Sequence, residues 1–176
     1  DWEWLHPSVT AKLLALHAAG HMLVIVSNQG GVEKDAKKAL AIQSKIVALQ
    51  AALGAPVSAL FSTMKEDEAR KPTTLMWDHL TTKMLGGRPL DAAKSFYVGD
   101  AAGRVITTMA NRKKDFSCSD RKFAYNCGVQ FHTPEAFFLG KPEAPFGWDG
   151  FGPDDVAALK SNKYEGPLHR AGTEVV

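Results

Sequence analysis

Hydrophobic residues along the chain alternate between short continuous runs and helical spacing, which predicts alternating strands and helices. Residues 22–26 form an apolar run rich in β-branched side chains, as buried parallel strands do. Residues 33–53 instead carry apolar side chains three or four positions apart, which is typical of a helix with one buried face. The same reasoning predicts strands at 57–62, 95–98 and 129–131, and helices at 7–19, 72–85, 119–127 (capped by Ser119 or Asp120) and 134–138.

This order of elements predicts an α/β fold with a doubly wound parallel sheet and helices on both of its faces. Right-handed crossovers would bring the carboxyl ends of all strands to one rim, where such sheets bind ligands. The chain opens on a helix, whereas a doubly wound fold normally opens on a strand. We expect an α/β domain over residues 1–140 and a Pro/Gly-rich tail or linker over residues 141–176.

Composition narrows the function classes only slightly. The 176 residues suit one domain, and no run approaches the roughly 18 apolar residues of a membrane span, so no membrane partner is expected. Two cysteines far apart suit free thiols in a reducing, intracellular compartment. The net charge of +2 does not indicate a nucleic-acid binder, but residues 104–122 hold six basic and two acidic residues. That segment is either a solvated loop or a patch for a polyanion.

Polar side chains follow three of the predicted strands and would meet at the rim. Ser27 offers a hydroxyl, although it also suits the turn after its strand. Lys71 precedes Pro72, so its ammonium would lie at a helix N-terminus, where anions bind; it also suits a charged surface loop. Asp100 directly follows a buried strand, where a carboxylate binds a cation or caps a helix. A hard oxygen ligand with water and phosphate around it favours Mg²⁺. Together these groups favour phosphoryl transfer, but no rim residue is a good nucleophile.

Several strings resemble the phosphatase domain of the polynucleotide kinase 3′-phosphatase family, within the haloacid dehalogenase superfamily. The narrowest are Gly-Asp-Ala-Ala-Gly-Arg at 99–104 and Asp-Phe-Ser-Cys-Ser-Asp-Arg at 115–121. Ser-Asn-Gln at 27–29, Arg-Lys-Pro at 70–72 and Thr-Pro-Glu-Ala-Phe-Phe-Leu at 133–139 follow the same order. The resemblance therefore runs over residues 1–139 and implies a haloacid dehalogenase-like fold.

The resemblance also implies an activity. It implies a Mg²⁺-dependent phosphatase that removes 3′-phosphates from DNA ends at strand breaks, in the nucleus or in mitochondria. By the same resemblance Ser27 would hold the phosphate, Lys71 would neutralise the phosphate and the nucleophile, and Asp100 would ligate Mg²⁺. The implied substrate-contacting residues are Asn28, Gln29, Arg70, Arg104, Lys113 and Lys114. The implied partners are DNA ends bearing a 3′-phosphate and an attached kinase domain or repair proteins.

One departure from the family pattern qualifies this hypothesis. The family's first strand ends in Asp-x-Asp-Gly-Thr, which supplies the nucleophile and the general acid, and no Asp-x-Asp occurs among the 176 residues. Nor does a Gly-x-x-x-x-Gly-Lys-Ser/Thr loop of a kinase occur. We expect the first strand and its nucleophile to lie upstream, so that these residues alone are inactive. The alternatives are a catalytically inactive phosphatase-like module that binds nucleic acid or serves as a structural subunit, and a small-molecule phosphatase of the same superfamily.

Overall fold

The computed structural model describes residues 2–86, 88–105 and 114–161, and its helices and strands alternate as predicted. The elements in chain order are α1 (Ser8–Ala18), β1 (Leu23–Asn28), α2 (Ala36–Leu53), β2 (Val57–Ser62), α3 (Leu75–His79), β3 (Phe96–Val98), α4 (Ser119–Cys127), β4 (Gln130–His132), α5 (Pro134–Leu139) and α6 (Pro153–Ser161). A π-helical turn, Leu80–Met84, continues α3.

The strands pair in parallel, which confirms an α/β fold. Strand β1 pairs with β2 from Leu23 opposite Val57 to Asn28 opposite Ser62, and β3 pairs with β4 over three residues. The described residues form two two-stranded sheets rather than one continuous sheet. The described residues therefore do not form the single doubly wound sheet expected from the sequence.

A cavity of about 720 Å³ lies between the two sheets. Its walls include residues of β1 and β3, Leu13 and Leu16 of α1, and Phe137 and Phe138 of α5. No described strand pairs with β1 on the side away from β2, or with β3 on the side away from β4. The cavity thus has a largely apolar lining and lies between two unpaired strand edges.

The helices pack as their periodicity predicts. Asp35 begins α2 by accepting hydrogen bonds from the amides of Lys37 and Lys38, at 3.1 Å each. The predicted inward face of α2 is the less exposed one; it comprises Ala39, Ile42, Ile46, Leu49 and Leu53. Val26 of β1, Met76 of α3 and Phe123 of α4 form a buried core beneath the rim. This core fixes the relative positions of the elements that carry the predicted site residues.

The predicted start of the third helix at Pro72 is wrong. Helix α3 begins at Leu75, and residues 71–74 form turns. The Thr73 hydroxyl bonds back to the carbonyls of Glu68 and Arg70, which holds this segment in a turn. Lys71 consequently does not lie at a helix N-terminus.

The segment after residue 140 contacts the domain before it forms an unpredicted helix. The amide of Val105 donates to the carbonyl of Pro145, and the amide of Gly147 donates to that of Gly103. Helix α6 follows, and residues 162–176 lie outside the described residues. The division of the chain at residue 140 stays a prediction. Within the described ranges, no helix has both the length and the apolar character needed to cross a bilayer.

Candidate active site

Lys71 and Asp120 join the carboxyl ends of β1 and β3. The Lys71 ammonium donates to the carbonyl oxygen of Val26 at 2.8 Å and to Oδ1 of Asp120 at 2.7 Å. Oδ2 of Asp120 accepts a hydrogen bond from the amide of Ala101 at 3.0 Å. Since Val26 adjoins Ser27 and Ala101 adjoins Asp100, the ends of the two strands that carry the predicted site residues lie at one rim.

The Lys71 ammonium is buried and fully hydrogen-bonded. Its side chain is 8% exposed, and its third partner is the Tyr97 hydroxyl at 2.7 Å. That hydroxyl donates in turn to the carbonyl of Val26 at 2.9 Å. Burial, followed by the negative charge of Asp120, raises the pKa of Tyr97, so the phenol keeps the proton that it donates. The three N–H groups of Lys71 thus hold three acceptors from three separate elements.

The sequence did not predict a role for Asp120 in the site. Predicted only as an alternative cap of α4, it lies in the first turn of the helix, and Cys118 occupies the cap position without a side-chain hydrogen bond. Its carboxylate faces Gly99, where a Cβ atom would lie 2.5 Å from Oδ2 of Asp120. The glycine directly before Asp100 is the available sequence signal, because it marks a close approach of another group to this strand end.

The predicted phosphate-holding segment bonds within the protein. Oγ of Ser27 accepts a hydrogen bond from Nε2 of Gln29 at 2.9 Å. The Asn28 side chain donates to the carbonyl of Lys71 at 3.1 Å and accepts from its amide at 2.9 Å. Ser27 and Lys71 are therefore brought to the same strand end, whereas the side-chain amides of Asn28 and Gln29 have protein partners rather than open positions.

Asp100 presents an exposed carboxylate at the end of β3. Its backbone carbonyl accepts from the amide of Ala102 at 2.9 Å and from Arg104 at 3.0 Å, and its carboxylate has no hydrogen-bond partner among the described residues. Those residues contain no group of three or more His, Cys, Asp or Glu side chains placed to hold a metal. Mg²⁺ in phosphoryl-transfer sites commonly takes one or two carboxylates and completes its shell with water and phosphate. Asp100 fits that requirement as one ligand.

Arg104 lies in the interior, with 2% of its side chain exposed. Its guanidinium donates to Oδ2 of Asp115 and to Oε2 of Glu135, at 2.7 Å each. Burial by itself lowers the pKa of Arg104, but the hydrogen bonds to Asp115 and Glu135 outweigh it and raise the pKa. Arg104 would have to leave these contacts to reach a nucleic-acid backbone.

The remaining predicted substrate contacts lie on loops. Nη1 of Arg70 is buried without a hydrogen-bond partner in the described part of the chain, close to Gly30. Lys114 is exposed and forms an ion pair with Asp149 at 3.3 Å, and nearby Phe116 is 100% exposed. Lys113 lies outside the described residues, as does Arg112.

Comparisons with known proteins identify similar chains. A family model described as polynucleotide kinase 3 phosphatase matches residues 1–138. The bifunctional polynucleotide phosphatase/kinase of Schizosaccharomyces pombe is 37% identical over 169 residues, which cover 96% of this chain and 38% of that protein. Polynucleotide 3′-phosphatase ZDP of Arabidopsis thaliana is 35% identical over 157 residues, covering 82% of this chain and 22% of that protein.

A viral relative matches this chain over a larger share of its own length than the fission-yeast and plant relatives do. An uncharacterised 20.8 kDa protein of Autographa californica nuclear polyhedrosis virus is 41% identical over 137 residues, covering 78% of this chain and 71% of the viral protein. The chain therefore spans most of the viral relative but less than two fifths of the fission-yeast and plant relatives.

Proposed function

Because this chain belongs to the polynucleotide kinase 3 phosphatase family, we propose that it hydrolyses 3′-phosphates at DNA strand-break ends. The observation that carries the proposal is the buried Lys71 ammonium at the joined ends of β1 and β3, beside Ser27 and Asp100. A cation fixed at that position neutralises a phosphoryl group, which is the main electrostatic requirement of phosphoryl transfer. The proposal is supported by the relatives' names, since the fission-yeast protein is a polynucleotide phosphatase/kinase and the plant protein is a polynucleotide 3′-phosphatase.

Each of the rim residues has a separate role in the proposed reaction. The Ser27 hydroxyl donates a hydrogen bond to a phosphate oxygen, and Lys71 offsets the negative charge of the phosphate. Asp100 holds Mg²⁺, which when bound supplies additional positive charge to the phosphoryl oxygens. The fold that carries these residues is the doubly wound fold of haloacid dehalogenase-like phosphatases, and the two parallel sheets are its two halves.

The nucleophile lies on a further strand, outside these 176 residues, that seats in the cavity between β1 and β3. The apolar lining and the two unpaired strand edges support this assignment, because a strand in that space would complete both backbone ladders. The Val26 carbonyl already accepts from Lys71 and Tyr97. A strand that bonded to that carbonyl would displace one of these donors, which frees the donor for substrate.

The reaction then proceeds in two steps. A carboxylate oxygen of the upstream aspartate attacks phosphorus, the bond to O3′ breaks, and a second upstream carboxylic acid protonates O3′. Water then attacks the aspartyl phosphate with loss of a proton to that carboxylate, which releases inorganic phosphate and restores both groups. Atoms and charge balance over the two steps as the hydrolysis of one phosphomonoester.

The loop around Lys114 binds the nucleic acid. Lys114 is exposed and adjoins further basic residues at 112 and 113, which suit sequence-independent contacts to a phosphate backbone. Phe116 supplies an exposed aromatic ring of the kind on which bases stack. The full-length protein would act in the nucleus or mitochondria, with a kinase domain attached as in the bifunctional relatives or with repair proteins.

One observation favours a second function, that of a non-catalytic nucleic-acid-binding or structural module. All three donors of the Lys71 ammonium have protein partners, which leaves none for phosphate in this arrangement. The two functions differ in a single measurement on the protein that includes its upstream residues. Phosphate release from a 3′-phosphorylated oligonucleotide supports the phosphatase, and binding of that oligonucleotide without release supports the module.

The test of the metal role uses Asp100→Asn in the same extended protein. Mg²⁺-dependent release should fall to background, because an amide replaces the charged ligand. The matched control is Asp91→Asn, which removes an exposed carboxylate paired with Lys94 and should retain turnover. Wild-type turnover in Asp100→Asn would remove Asp100 from this role, and equal turnover of sugar phosphates would assign the site to small molecules.

A further inference from the structure

The Asn28 side chain pairs with the backbone of one residue 43 positions away. It accepts from the amide of Lys71 at 2.9 Å and donates to the carbonyl of the same residue at 3.1 Å. A primary amide offers a carbonyl oxygen and an NH₂ group side by side, which matches the N–H and C=O of one residue. Asn28 therefore closes a two-point link between the end of β1 and the loop that carries Lys71.

Lys71 is fixed at both of its ends as a result. Its backbone is tied to Asn28, and its ammonium is tied to the carbonyl of Val26, two residues earlier on the same strand. The other backbone hydrogen bonds near Lys71 among the described residues join the loop to itself, such as those from the Arg70 amide to the Asp67 carbonyl and from the Thr73 amide to the Arg70 carbonyl. The Asn28 link is thus what joins the backbone of Lys71 to the strand that ends at the rim.

We propose that Asn28 is a positioning residue, which holds the Lys71 ammonium at the rim instead of contacting the substrate. The role rests on the proposed phosphatase function, in which Lys71 neutralises phosphate. Small displacements of a catalytic group cost up to about 10²-fold in rate. Asn28→Ala should therefore lower kcat by roughly 10- to 100-fold with little change in KM.

A double-mutant cycle in the extended protein separates positioning from substrate contact. If Asn28 acts through Lys71, Asn28→Ala should have no further effect on kcat in a Lys71→Met background. Additive losses would overturn the proposal and assign Asn28 to the substrate. The matched control is Asn126→Ala, because Nδ2 of Asn126 donates to the carbonyl of Pro72 at 2.9 Å in the same loop. It removes one bond to the loop without touching Lys71 and should leave kcat near that of the wild type.

A second readout needs no phosphatase activity and uses the 176-residue chain. An amine-reactive ester followed by peptide mass spectrometry measures acylation of Lys71 relative to exposed Lys94. Loss of two hydrogen bonds should raise that ratio about tenfold in Asn28→Ala, whereas Asn126→Ala should leave it unchanged. Asn28→Asp repeats the test isosterically, since it retains the acceptor for the Lys71 amide and loses the donor for its carbonyl.

The two readouts keep the inference distinct from the proposed function. A raised acylation ratio without any phosphatase activity in the extended wild-type protein would support the link and refute the function. An unchanged ratio in both Asn28 variants, with an active wild-type protein, would overturn the positioning role and leave the function standing.

Discussion

Two buried clusters each hold a basic side chain against carboxylates, yet their geometry differs. The rim cluster consists of Lys71, Asp120, Tyr97 and the carbonyl of Val26. The turn cluster consists of Arg104, Asp115 and Glu135. Each basic residue is at most 8% exposed, so neither ion pair is a solvent-exposed surface contact.

The clusters differ in what their carboxylates hold. In the turn cluster, Oδ2 of Asp115 also accepts from the amides of Ala102 and Arg104, at 3.3 and 3.0 Å, so it shapes the turn that follows Asp100. In the rim cluster, Asp120 holds Lys71 and the amide of Ala101, and thereby joins the ends of two strands. The turn cluster supports local backbone structure, whereas the rim cluster presents a charge beside the predicted site.

The largest expected effects come from removing each cation. Lys71→Met should lower turnover by about 10²–10³-fold. Arg104→Met should lower the free energy of unfolding by roughly 3–5 kcal/mol, because it removes the buried guanidinium that Asp115 and Glu135 both contact. Adding Asp120→Asn to Lys71→Met should recover stability without recovering turnover. Adding Asp115→Asn to Arg104→Met should not recover stability, since Glu135 keeps its negative charge without the Arg104 guanidinium.

Urea unfolding and phosphate release check this contrast when both are measured on the four variants of the protein that includes its upstream residues. Recovery of turnover in the Lys71→Met/Asp120→Asn variant would mean that the rim charge is not used in the reaction. Equal recovery of stability in both double variants would mean that the two clusters are equivalent structural ion pairs.

The sequence predicted the parts of this comparison that depend on local patterns. Strand β2 and helix α4 have the predicted bounds, because apolar spacing acts within one element. The predicted cap of α4 at Ser119 or Asp120 is wrong, since Cys118 occupies that position. The Lys71–Asp120 pair joins a turn segment to the first turn of α4, 49 positions away along the chain, and no local pattern specifies such a contact. Arg104 was expected to contact DNA because of the family resemblance of its Gly-Asp-Ala-Ala-Gly-Arg string. Its buried guanidinium instead contacts Glu135, which helix α5 supplies.

A smaller effect is expected from Phe116, which tests whether the turn cluster also serves substrate binding. The Asp115 carboxylate and the Ser117 carbonyl both accept hydrogen bonds from the turn at 102–104, so the chain on both sides of Phe116 is tied to that turn. Phe116→Ala should weaken binding of a 3′-phosphorylated single strand by about 1–3 kcal/mol, the usual contribution of one stacked base.

Fluorescence anisotropy with the extended protein measures this binding. Phe116→Trp should retain affinity and Phe116→Leu should lose it, because leucine keeps the apolar surface without the aromatic face. Val47→Ala on α2 is the control, since that side chain is also an exposed apolar group. Equal affinities for all four variants would exclude stacking on Phe116.

The smallest effect concerns alkaline pH, where each cluster has a cysteine nearby. Burial raises the pKa of Cys127, which packs with Tyr97 on the core below the rim cluster, from 9.0 to about 12. Burial also raises the pKa of Cys118, but the positive charges of Arg121 and Lys122 oppose the shift. Above about pH 9 the unfolded chain loses the Cys127 proton while the folded chain keeps it, so the free energy of unfolding falls as pH rises toward 12. In urea unfolding between about pH 8 and pH 11, Cys127→Ala should flatten this decline more than Cys118→Ala does. If Cys118→Ala flattened the decline more than Cys127→Ala, burial would raise the pKa of Cys118, beside the turn cluster, more than that of Cys127.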